Sequence, residues 1–217
     1  MKTAIVIGGT GLVGNALVLQ LLNSTHFGQV LVFGRRSLEL VHEKLQEHII
    51  NFDKPQLWKH LVKGDVFFSC LGTTLRQAGS KDAQYRVDYQ YQFSMASVAA
   101  ENKVPAYILV SSVGADSNSR LFYTRMKGQL DEGVSRLPFI QTAIIRPGAL
   151  YGSRKKFRPG ETASVGLLKL LNAVGILRKY RPITGKQVAN AMIQIALGEK
   201  RGVTIYENDQ LFELAVK

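Results

Sequence analysis

Cysteine is nearly absent: Cys70 stands alone in 217 residues. A single cysteine excludes an intramolecular disulfide framework and suits a reducing compartment, so a cytoplasmic location is expected. The four histidines, His26, His42, His48 and His60, show no ligand spacing. With one cysteine beside them they make no zinc site, and no metal is expected. Long apolar runs are missing too. The longest fall well below the ~20 residues a bilayer requires, so no membrane span is expected. Met1-Lys2-Thr3 leads straight into an apolar stretch with no small-residue cleavage pattern after it, which argues against a signal peptide. No Gly-x-Ser-x-Gly elbow is present, so the usual serine hydrolase signature is lacking. Acidic residues are scarce: 16 Asp and Glu face 28 Lys and Arg, a formal net charge of +12. That balance favours anionic partners, whether phosphorylated cofactors, acidic proteins or nucleic acid, without choosing among them.

What is present is a globular pattern, 46% hydrophobic and 20% charged, too apolar for disorder. Strand-like and helix-like stretches alternate. Strands are expected over 3–7, 29–33, 48–52, 65–71, 106–111 and 139–145, and helices over 12–22, 82–102 and 121–136. Strands separated by helices imply βαβ units with right-handed crossovers. The predicted fold is therefore α/β, a Rossmann-like, doubly wound, mainly parallel sheet. After Gly148 the alternation weakens to helices over 162–177 and 185–197 and a strand over 203–206. No linker marks a second domain. One domain over 1–217 is expected, with a dinucleotide-binding core over 1–150 and a small, dependent substrate-side cap over 151–217.

The first strand runs into Gly8-Gly9-Thr10-Gly11-Leu12-Val13-Gly14. In the first βα turn, Gly8 permits a tight turn. Gly11 lets backbone amides approach a pyrophosphate, and Gly14 allows close packing of helix on strand. The pyrophosphate would sit at the positive end of the helix. Thr10, Leu12 and Val13 complete the turn and count with the glycines as cofactor contacts. The Lys-Ser/Thr of a P-loop does not follow. About 20 positions on, dinucleotide folds place an acid for the ribose 2′-hydroxyl. Here Gly34 is followed by Arg35 and Arg36. An acid would repel a 2′-phosphate, whereas a guanidinium pairs with it, so NADP(H) is predicted over NAD(H). Asp53, after the third strand, is either an acceptor for the adenine amino group or a helix N-cap. At the end of the fourth strand, Leu71 and Gly72 would let backbone pass close to the cofactor ribose. Cys70 beside them reads as a small buried hydrophobe.

Tyr123 and Lys127 are one helical turn apart and share a face. An ammonium favours the phenolate, which lets tyrosine exchange a proton with an alcohol or carbonyl oxygen during hydride transfer. Ser111 and Ser112 end the fifth strand eleven residues before Tyr123, where a serine hydroxyl can hold the substrate oxygen.

With these residues the chain resembles the short-chain dehydrogenase/reductase superfamily. The matching features are the glycine turn, Leu109-Val110-Ser111-Ser112, Tyr123-x-x-x-Lys127 and Arg146-Pro147-Gly148. Ser111-Ser112-Val113-Gly114-Ala115-Asp116 followed by Tyr123 and Lys127-Gly128 is similar to the atypical NAD(P)-binding oxidoreductases related to the Tat-interacting protein. The resemblance implies Tyr123 as catalytic acid/base, Lys127 as its activator, Ser112 as substrate-orienting group, and Pro147 and Gly148 as nicotinamide contacts. It also implies a departure. An asparagine that often supports the proton relay is replaced here by Asp88, which when ionised cannot donate. The segment after Pro147, about seventy residues, is short for an extended member.

The function expected is NADP(H)-dependent reduction of a carbonyl, or oxidation of an alcohol, by a monomer or homodimer. The alternative is an NADP(H)-sensing binding protein that docks an acidic partner through its basic tail. Tyr123, Lys127 and Ser112 favour the enzyme, and Asp88 and the short tail favour the sensor. The basic clusters Arg154-Lys155-Lys156-Phe157-Arg158 and Arg178-Lys179-Tyr180-Arg181 carry aromatics, as nucleic-acid sites do. No nucleic-acid module accompanies them, so they read as a solvated face or a rim steering anionic ligands.

Overall fold

The computed structural model describes residues 1–152, 181–198 and 200–216. Within them, β1 (Lys2–Ile7), β2 (Phe27–Gly34), β3 (Leu45–Ile49), β4 (Val66–Ser69), β5 (Ala106–Val110), β6 (Gln141–Arg146) and β9 (Gly202–Glu207) form one sheet in the order β3-β2-β1-β4-β5-β6-β9. Every neighbouring pair is parallel. The strand order reverses between β1 and β4, and ligands of such sheets bind at that switch point, outside the carboxyl ends of the strands. Two short strands, β7 (Leu150–Tyr151) and β8 (Ile183–Thr184), pair apart from the main sheet.

Alternation along β1 divides the core. Ala4 and Val6 face α1 (Leu12–Asn23) and α6 (Gly185–Leu197), while Ile5 and Ile7 face α4 (Gln92–Glu101) and α5 (Phe122–Ser135). All four are fully buried, as a strand covered on both faces requires. Leu17, Leu21, Val188 and Met192 fill the first layer, and Met95, Leu130, Tyr107 and Ile144 the second.

Several expected boundaries shift. The third strand spans 45–49 rather than 48–52, because Asn51 and Asp53 already belong to a turn in which the Asn51 side chain accepts from the Asp53 amide. The sixth begins at Gln141, since Ile140 and Gln141 both donate to the Pro105 carbonyl. The expected long helix over 82–102 is three pieces: α3 (Lys81–Tyr85), a π-helical stretch Arg86–Tyr91, and α4. Two helices were not anticipated, α2 (Leu75–Ala78) and α7 (Asn208–Leu214), the latter closed by a Glu207/Gln210 capping box. The described C-terminal residues do more than cap. β9 extends the main sheet beside β6, and α6 packs on α1. The helix expected over 162–177, the cluster 154–158 and residues 178–180 lie outside the described residues.

Candidate active site

The glycine turn closes on itself at the carboxyl end of β1. Gly8 has φ +80°, and a Cβ there would lie 2.4 Å from the carbonyl of Cys70 and 2.5 Å from the Leu71 nitrogen. Only glycine allows β1 and β4 to approach so closely. A Cβ on Gly14 would lie 2.2 Å from the Gly8 oxygen and 3.1 Å from the Gly9 Cα. Gly14 therefore lets helix α1 sit on its own turn, a different contact from the helix–strand packing expected. The Gly11 amide donates to the Gly8 carbonyl at 2.9 Å. Gly11 is the N-cap of α1, no side chain caps the helix, and no acidic residue lies in its first turn. The orphan amides of that turn and the positive end of the helix are what an anion needs.

Thr10 and Gly11 are exposed at the mouth, whereas Val13 is 5% exposed and belongs to the core. Val13 can offer a ligand only its backbone. Leu12 is flanked by two further glycines. A Cβ on Gly152 would lie 3.0 Å from its Cδ1, and one on Gly185 2.8 Å from its carbonyl oxygen. The glycine turn is thus braced from outside by the start of α6, a support the sequence did not reveal.

Arg35 and Arg36 are exposed at the carboxyl end of β2, and neither has a hydrogen bond or ion pair among the described residues. Their turn is anchored from β3: Glu47 accepts from the Ser37 hydroxyl at 2.7 Å and from the Leu38 amide at 2.6 Å. Leu38 in turn packs beneath Gly9, whose Cβ would lie 3.2 Å from it. Asp53 caps no helix, because Lys54 is the N-cap of the 3-10 turn Pro55–Leu57. Its Oδ2 instead accepts from the Tyr91 hydroxyl at 3.0 Å, with the Tyr91 ring stacked on Phe52 at 5.1 Å. Burial and the Asp53 carboxylate push the Tyr91 hydroxyl above its ordinary pKa. Leu71 is half-buried and Gly72 exposed, beside the glycine turn across the β1–β4 switch. Cys70 lies 3.9 Å from the Met192 sulfur, and burial pushes its thiol up, which removes its nucleophilic form.

Tyr123, in the first turn of α5, is 43% exposed, and its hydroxyl has no hydrogen-bond partner among the described residues. Lys127, one turn on, is only 3% exposed and donates to the Val110 carbonyl at 3.1 Å. Ser112 is half-buried, and its hydroxyl points toward the Val113 carbonyl at 3.4 Å. The loop from Ser112 to Tyr123 is held on α5 by Gly128. A Cβ there would lie 2.1 Å from the Ser117 nitrogen, so this glycine sets the approach of the serine loop to the tyrosine helix. Pro147 is buried, and its carbonyl accepts from the Val113 amide at 3.0 Å. Gly148 donates its amide to Asn208 at 2.7 Å, and its Cβ would lie 2.8 Å from the Arg181 carbonyl.

Asp88 departs from the expected relay in a definite way. It is 2% exposed, and its Oδ1 accepts from the Thr73 amide at 3.0 Å, clamping the loop after β4. Burial pushes its carboxyl above the usual range, against the pull of Lys127, the Thr73 amide and Gln84. Asp131, one turn beyond Lys127, was not anticipated. Its Oδ2 accepts from Arg146 Nε at 3.1 Å and Nη2 at 2.9 Å. Burial raises its carboxyl as well, opposed by Ser111, Lys127 and Arg146. The i, i+4 spacing from Lys127 was its one sequence signal. Among the described residues no group of three His, Cys, Asp or Glu is placed to hold a metal ion, and no helix is long and apolar enough to cross a membrane.

Comparison with known proteins bears on this arrangement. The profile described as the NAD dependent epimerase/dehydratase family matches residues 4–127. Protein FMP52-1, mitochondrial, of Scheffersomyces stipitis is 33% identical over 99% of both chains. Protein HTATIP2 of Rattus norvegicus is 34% identical over 74% of this chain and 67% of its own. The similarity to relatives of the Tat-interacting protein therefore holds. Among solved structures, MoeE5 in complex with UDP-glucose and NAD superposes with a TM-score of 0.71 at 14% identity, covering 99% of this chain and 81% of that one. UDP-glucose 4-epimerase of Thermotoga maritima gives 0.70 at 14%, covering 98% and 81%. At those identities the likeness is one of fold. The expected cytoplasmic location is overturned: the fungal relatives are named mitochondrial, and a lone cysteine does not separate one reducing compartment from another.

Proposed function

The chain belongs to the NAD dependent epimerase/dehydratase family, and from that premise we propose that it is an NADP(H)-dependent oxidoreductase of the short-chain dehydrogenase/reductase type, reducing a carbonyl or oxidising the matching alcohol. The observation that carries the cofactor choice is the Arg35–Arg36 turn. Two exposed guanidinium groups with no side-chain hydrogen bond or salt bridge among the described residues stand just after β2, where an acid would select the unphosphorylated ribose. The residues fit a dinucleotide, because the turn excludes any Cβ at Gly8 and Gly14 and the first turn of α1 is uncapped.

The bound cofactor supplies or accepts the hydride. The chain's own residues do the rest. The α1 amides and Arg35–Arg36 bind the phosphates, and Leu71 and Gly72 offer backbone to the ribose. Pro147 and Gly148 bound the nicotinamide end through backbone, Gly148 with its amide already committed to Asn208. Asp53 holds Tyr91 beside the adenine end. Ser112 orients the substrate oxygen, Tyr123 passes the proton to or from that oxygen, and Lys127 contributes a fixed positive charge below it. The test is a fluorescence titration of the full chain with NADPH and NADH. Tighter binding of NADPH supports the reading, and equal or tighter binding of NADH removes the arginine argument.

A second reading has its own support. The Lys127 ammonium donates to Val110 and lies near Asp88 and Asp131, an arrangement that holds charge as readily as it relays protons. A protein that binds NADP(H) and signals its presence to an acidic partner fits that feature. Turnover of any aldehyde or ketone that Tyr123→Phe abolishes decides for the enzyme.

A further inference from the structure

Behind the carboxyl ends of β4 and β5 lies a buried set of ionisable groups. Asp88, Lys127 and Asp131 are 2%, 3% and 3% exposed. Asp131 is held by Arg146, which also reaches Glu207 at 3.4 Å. Lys127 acts on both aspartates. Three acidic side chains thus face two cations, one cation short of balance. Asp88 is the least compensated member. Its Oδ1 accepts from the Thr73 amide with the Gln84 side chain beside the carboxyl, and its Oδ2, fully buried, accepts no hydrogen bond. A buried carboxylate oxygen without a partner is costly and is relieved by a cation brought to it.

The same carboxylate clamps Thr73 directly after Gly72, whose Cβ would lie 3.0 Å from Oδ1, so its charge sits at the edge that the cofactor reading assigns to the ribose. Oxidised nicotinamide is a cation and the reduced ring is neutral. We propose that Asp88 makes the site sensitive to the redox state of the bound dinucleotide, its carboxylate favouring the oxidised cofactor over the reduced one. The proposal rests on the dinucleotide reading above. Three groups face Asp88 directly: Lys127 from α5, the Thr73 amide from the loop after β4 and the Gln84 amide from α3. Lys127 is the charged one. Asp131, Arg146 and Glu207 complete the surrounding charges.

Asp88→Asn keeps an oxygen acceptor for Thr73 and removes the charge. Calorimetric titration of the full chain with NAD+ and NADH, and with NADP+ and NADPH, gives the ratio of the two affinities. Asp88→Asn should weaken the oxidised form by about tenfold, the order of one unit charge acting through protein, and leave the reduced form within about twofold. Equal losses for both forms, or no change in either, overturn the proposal. The wild-type chain gives an independent test. With the NAD+/NADH pair, which has no 2′-phosphate to titrate, the preference for the oxidised form should fall as pH is lowered toward the ordinary carboxylate range and Asp88 takes up a proton. A flat ratio overturns the proposal. Absence of binding by either form of either cofactor overturns the dinucleotide reading itself, an outcome distinct from an unchanged ratio.

Discussion

Gly14→Ala adds one methyl group to the first turn of α1. Its Cβ would lie 2.2 Å from the Gly8 oxygen and 2.8 Å from the Gly8 carbon. Both are backbone atoms, and Gly8 is itself locked at φ +80° against the Cys70 carbonyl. Nothing at the end of a flexible side chain can yield. Either α1 or the turn must retreat by most of an ångström. Overpacking of that kind costs about 3 kcal/mol, and at this chain length each kcal/mol moves the melting temperature by about 2–4 °C, so a fall of roughly 6–12 °C is expected. The same displacement moves the α1 amides, and NADPH affinity should fall by at least about tenfold with it. Gly198→Ala is the internal control, since Gly198 has a negative φ of −75° and its Cβ meets nothing closer than 3.4 Å. Thermal unfolding followed by circular dichroism, with and without NADPH, measures both effects. If Gly14→Ala melts within a degree of wild type and binds NADPH normally, the close-approach argument for the glycine turn is refuted.

Replacing Arg35 and Arg36 with alanine should weaken NADPH by about tenfold to a hundredfold, the loss of one or two charge-assisted contacts, while NADH changes little; parallel fluorescence titrations check this. Tyr123→Phe should lower turnover of a responsive aldehyde or ketone by about 10²–10⁴ with NADPH affinity retained, and undiminished turnover removes the proton-transfer role. Burial holds Asp88 above its unfolded value of 3.8, so its contribution to stability is lost as pH rises from that value through the raised one, where the folded chain must ionise a buried acid. Asp88→Asn should therefore melt higher than wild type at about pH 8 and lose that advantage as pH falls toward 3.8, and an advantage that grows as pH falls contradicts the assignment.

The parts of the account that sequence made legible are those set by local pattern. Glycines at 8, 11 and 14 between an apolar strand and an amphipathic helix specify a turn that backbone geometry alone explains. Arg35, Arg36, Tyr123 and Lys127 follow from spacing relative to that turn and to β5. What sequence hid depends on contacts between distant segments. The π-helical stretch Arg86–Tyr91 carries Asp88 to Thr73, and hydropathy shows one continuous helix there because its burial changes little. Gly128 and Gly185 are required by segments 11 and 173 residues away, the loop at Ser117 and the start of α1 at Leu12, and neither has a local signature. Asp131 reads as a surface acid until Arg146, from β6, is seen to bind it. β3 differs from the expected 48–52 because its half-exposed residues lack clean alternation, and the Asn51–Asp53 turn shares its polarity.

The most direct measurement of the central claim is a crystal structure of the full chain grown with NADP+. The account predicts the 2′-phosphate within hydrogen-bond distance of the Arg35 or Arg36 guanidinium, the pyrophosphate on the first-turn amides of α1, and the nicotinamide on the Tyr123 side of the sheet. A dinucleotide bound with both arginines turned into solvent, or no dinucleotide at the β1–β4 switch, would contradict it.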